Sequence, residues 1–113
     1  MNSFDPLSAK EHATLQVVKQ RLQQRLGGNL SVVKLYGSKA RGDAHPGSDI
    51  DLAVVVRQLD PQVEDVVWEL ELELLDRYGV VVEVFTLSQP DYETSLAQQW
   101  PFMLNLEREG VIL

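Results

Sequence analysis

The 113-residue sequence contains no cysteine. Disulfides, thiolate zinc sites and cysteine nucleophiles are therefore excluded, and such a composition is typical of a cytoplasmic protein. Oxygen ligands remain for a metal ion. The two histidines, His12 and His45, have no partner at the spacing of metal ligands or of a catalytic triad, and we expect both at the surface.

Positive charge is also scarce. The chain has ten Lys and Arg residues but seventeen Asp and Glu residues, so its net charge is −7. This sign is wrong for neutralising a phosphate backbone, so we expect no direct nucleic-acid partner. An acidic surface suits a basic protein partner, or it simply keeps the protein in solution. No apolar run approaches the roughly 20 residues that span a bilayer, and no signal-peptide pattern follows Met1, so we expect neither membrane insertion nor export.

Internal repeats, low-complexity tracts and Ser/Gly-rich linkers are absent as well. Apolar residues make up 44% and charged residues 24% of the chain, as in an ordinary globular protein. We therefore expect one continuous domain over residues 1–113, which is too short for a catalytic domain plus a separate substrate domain.

Apolar periodicity predicts alternating helices and strands. The predicted elements are a helix with a capping box at Ser8 and Glu11 that ends at Gly27, a strand over 30–36, a strand over 50–56, a helix capped by Asp60 that ends before Gly79, a strand over 80–87, helices over 92–99 and 102–109, and an edge strand over 111–113. This order favours an α/β (α+β) fold with a small mixed sheet of four to five strands and helices mainly on one face.

Large aromatic side chains are few. Trp68, Trp100 and Phe102 fit either the core or a surface that contacts a partner, and base rates favour the core for at least two of them.

Two carboxylates stand at the start of the predicted strand over 50–56. Asp49 and Asp51 are two residues apart, so their side chains point to the same face of a strand and repel each other. A hard divalent cation such as Mg²⁺ relieves that repulsion. An Asp-x-Asp pair is often a solvated turn, but here it interrupts an apolar run, where an uncompensated charge is costly. The pattern therefore favours a metal site.

The loop upstream of these carboxylates suits a phosphate group. Gly37 lets a phosphate approach the backbone, and the hydroxyl of Ser38 and successive N–H groups can donate to its oxygens. A Gly-Ser pair alone also fits an ordinary turn. Of the two basic residues that follow, Arg41 is a better phosphate ligand than Lys39, because a guanidinium binds in a bidentate manner.

The combination Gly37-Ser38, ten intervening residues and Asp49-x-Asp51 resembles the signature of the DNA polymerase β-like nucleotidyltransferase superfamily, and within it the minimal nucleotidyltransferases. The resemblance is specific over residues 35–52 and looser elsewhere. It implies triphosphate binding by Gly37 and Ser38, and Mg²⁺ binding, with two ions, by Asp49 and Asp51.

The superfamily usually adds a third acidic residue, an aspartate, from a later strand. The matching position here is Glu83, and the resemblance implies that it binds metal and deprotonates the attacking hydroxyl. The alternative is a charge on a half-exposed strand. With Asp49 and Asp51, Glu83 would make up the catalytic set for in-line displacement at a phosphate.

The resemblance also implies a function. Minimal nucleotidyltransferases act as antitoxins that transfer AMP from ATP to a tyrosine of a HEPN ribonuclease toxin and so neutralise it. Two alternatives stay open. One is transfer to a small molecule such as an aminoglycoside, although the chain lacks the extra helices that form an acceptor pocket. The other is a non-catalytic antitoxin that blocks its toxin sterically, and only the replacement of the usual aspartate by Glu83 favours it.

Overall fold

The structure, a computed structural model, describes residues 7–42 and 49–113. Within these residues it forms five α-helices, one short 3₁₀ turn and four strands. The elements are α1 (Ala9–Leu26), the 3₁₀ turn (Gly27–Asn29), β1 (Leu30–Tyr36), α2 (Ser38–Arg41), β2 (Ile50–Val56), α3 (Pro61–Tyr78), β3 (Val82–Ser88), α4 (Gln89–Ala97), α5 (Pro101–Glu109) and β4 (Val111–Ile112).

The four described strands form one mixed sheet in the order β3-β2-β1-β4. Strand β1 runs antiparallel to both β2 and β4, whereas β2 and β3 are parallel, as expected when the long helix α3 connects them. The predicted fold class, a small mixed sheet combined with helices, is confirmed.

Helices pack on the sheet through the alternating side chains of its strands. On the central strand β2, Ile50, Leu52, Val54 and Val56 are fully buried against the long helices α1 and α3. The shorter helices α4 and α5 cover part of the opposite face, where they pack on the odd-numbered residues of β2. Because Asp51 is odd-numbered, it belongs to this second face, at the end of the sheet where β2 begins.

The two long helices begin and end as the sequence predicts. The hydroxyl of Ser8 accepts from the backbone N–H of Glu11 at 3.1 Å, and the Glu11 carboxylate accepts from the N–H of Ser8 at 3.0 Å. Asp60 caps α3 by accepting from the N–H of Val63 at 3.0 Å, and Gly79 ends the helix with a φ of 64°. Among the described helices, none is long and apolar enough to cross a membrane.

Several boundaries in the second half of the chain differ from the prediction by one to three residues. Strand β3 begins at Val82, two residues later than expected, and α4 begins at Gln89. The helix starts early because the Ser88 hydroxyl accepts from the N–H of Asp91 at 3.2 Å, which makes Ser88 an N-cap, and Pro90 then fits the first turn. The expected edge strand is confirmed as β4, which pairs with Lys34 and Leu35 of β1.

The expectation that the core holds at least two of the three large aromatics is wrong. Trp68, Trp100 and Phe102 are 63%, 56% and 40% exposed. The core is filled instead by the many valines and leucines of the strands and long helices. Three large apolar side chains are therefore left at the surface.

Candidate functional site

A row of three polar side chains crosses the sheet at the edge where β2 begins. Asp51 of β2 lies opposite Tyr36 of β1 in the antiparallel pair and opposite Glu83 of β3 in the parallel pair. Directly paired residues project to the same face, so all three stand side by side on the face that α4 and α5 leave partly open. The strand register thus joins Asp51 and Glu83, which are 32 residues apart in sequence.

The backbone of the loop after β1 lies directly against Asp51 of this row. Gly37 has a φ of 76°, and its carbonyl accepts from the N–H groups of Ala40 and Arg41, both at 3.1 Å, to start the short helix α2. A Cβ atom on Gly37 would lie 2.5 Å from Oδ2 of Asp51. Only glycine allows this approach, and it keeps the backbone of Gly37 and Ser38 beside the carboxylate.

The electrostatics of the row reflect an excess of negative charge. Burial raises the pKa of Asp51, and the charges of Glu83 and Asp49 and a hydrogen bond with Glu83 raise it further, while Arg41 opposes them. Burial likewise raises the pKa of Tyr36, and Asp51 and Glu83 add to the effect. Asp51 is therefore repelled by the carboxylates of both Glu83 and Asp49.

This repulsion bears on metal binding. Asp49 is exposed and directly precedes β2, Asp51 is half-buried, and Glu83 is exposed. Across residues 7–42 and 49–113, no three His, Cys, Asp or Glu side chains stand close enough together to hold a metal ion as they are placed. The chemistry of the donors nevertheless fits Mg²⁺, because all are hard carboxylate oxygens whose mutual repulsion a cation would relieve.

The two basic residues of α2 point to different places. Lys39 is 5% exposed and its Nζ lies 2.7 Å from Oε2 of Glu11, so it fastens α2 to the start of α1. Arg41 remains exposed and lies 3.5 Å from Glu109 of α5. The preference for Arg41 over Lys39 as a phosphate ligand is consistent with this placement. The Lys39–Glu11 ion pair joins positions far apart in sequence, and no local sequence pattern predicts it.

A small cleft opens beside the loop. It has a volume of about 190 Å³, and Tyr36, Gly37, Arg41, Phe102 and Glu109 contribute to its lining. The sequence did not single out Tyr36, although its position directly before Gly37 at the end of a buried strand is a signal that places it there. Ser38, which directly follows Gly37, is the first residue of α2.

Part of the motif is outside the described residues. The intervening segment 43–48, which includes His45, is not described. His12 is exposed on α1, as expected.

Comparisons with known proteins agree with this geometry. The family model described as "Nucleotidyltransferase domain" matches residues 15–100. The chain is 31% identical over 103 residues to "Putative protein adenylyltransferase MJ0604" of Methanocaldococcus jannaschii, covering 91% of this chain and 97% of that protein.

Two solved structures are similar as well. A solved structure described as "Structure of putative minimal nucleotidyltransferase" is 25% identical with a TM-score of 0.57, and the match covers 99% of this chain and 97% of that one. A toxin–antitoxin crystal structure with AMP-PNP is 25% identical with a TM-score of 0.57, covering 88% of this chain and 70% of that one. The family match spans both the loop at Gly37 and the strand that carries Glu83. The chain therefore belongs to the nucleotidyltransferase domain family and is a nucleotidyltransferase.

Proposed function

We propose that this chain is an antitoxin that transfers AMP from ATP, with Mg²⁺, to a tyrosine hydroxyl of a HEPN ribonuclease toxin and thereby neutralises it. The observation that carries the proposal is the close approach of Gly37 to Asp51, which sets a phosphate-sized loop against the pair Asp51 and Glu83, here called the carboxylate row. Its relative named as a protein adenylyltransferase and the toxin–antitoxin structure with AMP-PNP support the substrate class and the partner.

In the proposed reaction, the acceptor oxygen attacks the α-phosphorus of ATP. The bond from this phosphorus to the bridging oxygen of the β-phosphate breaks, and pyrophosphate leaves. The backbone N–H groups at Gly37 and Ser38 bind phosphate oxygens, and Arg41 adds positive charge beside them. Glu83 accepts the proton of the acceptor hydroxyl.

Asp49, Asp51 and Glu83 are the residues that would hold Mg²⁺. When bound, the ions neutralise phosphate charge and lower the pKa of the acceptor hydroxyl. The spacing of two of these carboxylates is set by their position in the sheet. Because Asp51 and Glu83 are paired across parallel strands, their separation is fixed by the backbone ladder and does not rely on flexible loops.

The test is transfer to the protein encoded by the adjacent reading frame. The chain, ATP and Mg²⁺ are mixed with that protein, and intact-mass spectrometry should show the addition of AMP to it. Asp49→Asn and Asp51→Asn should each abolish the addition, and removal of Mg²⁺ with a chelator should do the same. An unchanged mass with the wild-type chain would overturn the proposal.

Growth assays separate catalysis from steric blocking. If the chain neutralises its toxin by AMP transfer, Asp51→Asn should leave cells that express the toxin unprotected, although the variant still folds. Full protection by a double Asp49→Asn, Asp51→Asn variant would instead establish a non-catalytic antitoxin. Transfer of AMP to an aminoglycoside without any protein partner would establish a small-molecule enzyme.

A further inference from the structure

An aromatic arch crosses the sheet next to the carboxylate row. The ring of Phe102, in the first turn of α5, meets Tyr36 of β1 edge-on at a centroid distance of 5.4 Å, and it meets Phe85 of β3 at 5.2 Å. It therefore spans the central strand β2, where the small side chain of Ala53 is buried and pairs in register with Phe85.

The arch separates two clefts. The cleft described above lies on the β1 side and contains Gly37 and Arg41, the residues proposed to bind phosphates. A second cleft, here called the β3-side cleft, lies at the outer edge of the sheet and has a volume of about 420 Å³. Its lining includes Leu59, Phe85, Asp91, Thr94 and Trp100.

The β3-side cleft lies next to Glu83 along strand β3. Glu83 and Phe85 are two residues apart on β3, so they project to the same face about 7 Å from each other along the strand. When a residue of a bound partner packs on Phe85, the neighbouring residue of that partner can therefore reach the Glu83 carboxylate. The strand itself is at the edge of the described sheet, so no further described strand covers this approach from outside.

The cleft also has the composition of a contact surface. Phe85 and Trp100 are 43% and 56% exposed, and Leu59 stands exposed at the other end. Exposed tryptophan and phenylalanine side chains close together are typical of the residues that dominate binding energy in protein interfaces. Asp91 is the one charged residue among those that line the cleft, and it is negative like the net charge of the chain.

We propose that the β3-side cleft docks the acceptor protein and presents its hydroxyl to Glu83. This inference rests on the proposed function. The segment that binds carries an aromatic or aliphatic side chain that packs on Phe85 and Trp100, and it is flanked by basic residues that complement Asp91 and the acidic surface. ATP enters on the β1 side and the acceptor on the β3 side, so the two substrates reach the carboxylate row from opposite directions.

The experiment compares two exposed tryptophans. Trp100→Ala removes an anchor of the cleft, whereas Trp68→Ala removes a tryptophan that is 63% exposed on α3, away from the cleft. The affinity of each full-length variant for the protein of the adjacent reading frame is measured by calorimetry without ATP, and the KM values for that protein and for ATP are measured in the transfer assay.

We expect Trp100→Ala to weaken acceptor binding by about 10-fold or more and to raise the acceptor KM similarly, with the KM for ATP unchanged. Trp100→Phe should recover part of the affinity, and Trp68→Ala should behave like wild type. Phe85→Ala should repeat the loss, and thermal melts will show whether that variant still folds, since Phe85 also contacts Phe102.

The outcomes distinguish the docking inference from the proposed function. Wild-type affinity and acceptor KM in Trp100→Ala would overturn the docking site while leaving AMP transfer intact. An equal loss in Trp68→Ala, or a loss there alone, would overturn it in favour of the α3 surface. If the wild-type chain transfers no AMP but Trp100→Ala still loses affinity, the proposed function fails together with the presentation of a hydroxyl to Glu83, and only the binding of the protein in the cleft stands. No binding by the wild-type chain would overturn both.

Discussion

Gly37 and Asp51 are so close that no other residue fits at position 37. A Cβ atom there would lie 2.5 Å from Oδ2 of Asp51, and the backbone φ of 76° is itself unfavourable for a side chain. The loop and the carboxylate row therefore form one unit, although they come from neighbouring antiparallel strands and are separated in sequence by the α2 segment.

We expect Gly37→Ala to reduce nucleotidyl transfer by about 100-fold, because the added methyl group must displace either the loop or Asp51 by about 1 Å. The same change should destabilise the fold by about 1 kcal/mol or more, since alanine is strained at this φ. Steady-state kinetics and urea unfolding measure the two effects.

Gly28→Ala is the matched control for this glycine. A Cβ atom on Gly28 meets nothing within 4 Å, and its φ is not in the left-handed region. The control should keep wild-type activity and stability. Equal activity in Gly37→Ala and Gly28→Ala would show that the contact with Asp51 has no catalytic consequence.

Glu83 provides a second prediction, on the identity of the third acid. Glu83→Gln keeps the size and removes the charge that can accept a proton, so we expect kcat to fall by about 10²- to 10⁴-fold. Glu83→Asp restores the acid found more often at this position in the superfamily, and it should retain more activity than Glu83→Gln. A Glu83→Gln enzyme with wild-type kcat would show that Glu83 is an exposed surface residue without a catalytic role.

The sequence predicted the parts of this site that depend on local order. The β-branched stretch over 30–36 and the nearly continuous apolar run over 50–56 predicted β1 and β2 to the residue, and the spacing from Gly37 to Asp51 indicated the candidate site because Gly37 follows β1 and Asp51 is near the start of β2. Glu83 was singled out by the family resemblance, and the structure then places it beside Asp51 through the parallel pairing of β3 with β2, the usual outcome of a connecting helix.

Long-range ion pairs and the exposure of aromatic side chains could not be predicted from the sequence. The Lys39–Glu11 ion pair links α2 to the first turn of α1, and no periodicity relates two such positions. Base rates placed Trp68, Trp100 and Phe102 mostly in the core, but burial depends on how much room the valine- and leucine-rich layers leave. That error points to the surfaces where a partner can bind.

A buried polar contact holds both short helices on the sheet and provides a third prediction. Nζ of Lys34, on β1, lies 3.0 Å from the hydroxyl of Tyr92 on α4 and 2.9 Å from Oε1 of Glu107 on α5. Tyr92→Phe removes one acceptor from a lysine that is 8% exposed, so the free energy of unfolding should fall by about 1–3 kcal/mol.

A double-mutant cycle with Lys34→Met isolates this interaction. In the Lys34→Met background no ammonium group is left without an acceptor, so Tyr92→Phe should cost less there than in the wild type. Equal costs in the two backgrounds, measured by urea unfolding, would mean that Lys34 and Tyr92 do not stabilise each other.

The Glu11–Lys39 ion pair predicts how stability depends on pH. Burial alone would raise the pKa of Glu11, but hydrogen bonds from Lys39 and from the backbone of Ser8 outweigh it and hold the pKa below its ordinary value of 4.5. A carboxyl group whose pKa is lowered by folding stabilises the protein above its unfolded pKa, and this contribution is lost as the pH falls through the folded pKa.

Glu11→Gln should therefore lower the free energy of unfolding by about 1–3 kcal/mol at pH 7, because the buried ammonium of Lys39 loses its counter-charge. The difference from wild type should begin to shrink as the pH falls below the ordinary value of 4.5, where the unfolded chain binds the proton, and shrink further as the pH falls through the lower pKa of Glu11 in the folded protein. Because Lys39 holds α2 in place, the KM for ATP should also rise. Urea unfolding at pH 7 and pH 3 measures the first effect.

Glu69→Gln is the control for this last prediction. Glu69 lies 3.0 Å from Arg25, but both side chains are at least half exposed, so their attraction is screened by water and contributes little. The control should match wild type at both pH values. If Glu11→Gln and Glu69→Gln lost equal stability at pH 7, or if the Glu11→Gln difference persisted unchanged at pH 3, the loss would not come from the buried ion pair with Lys39.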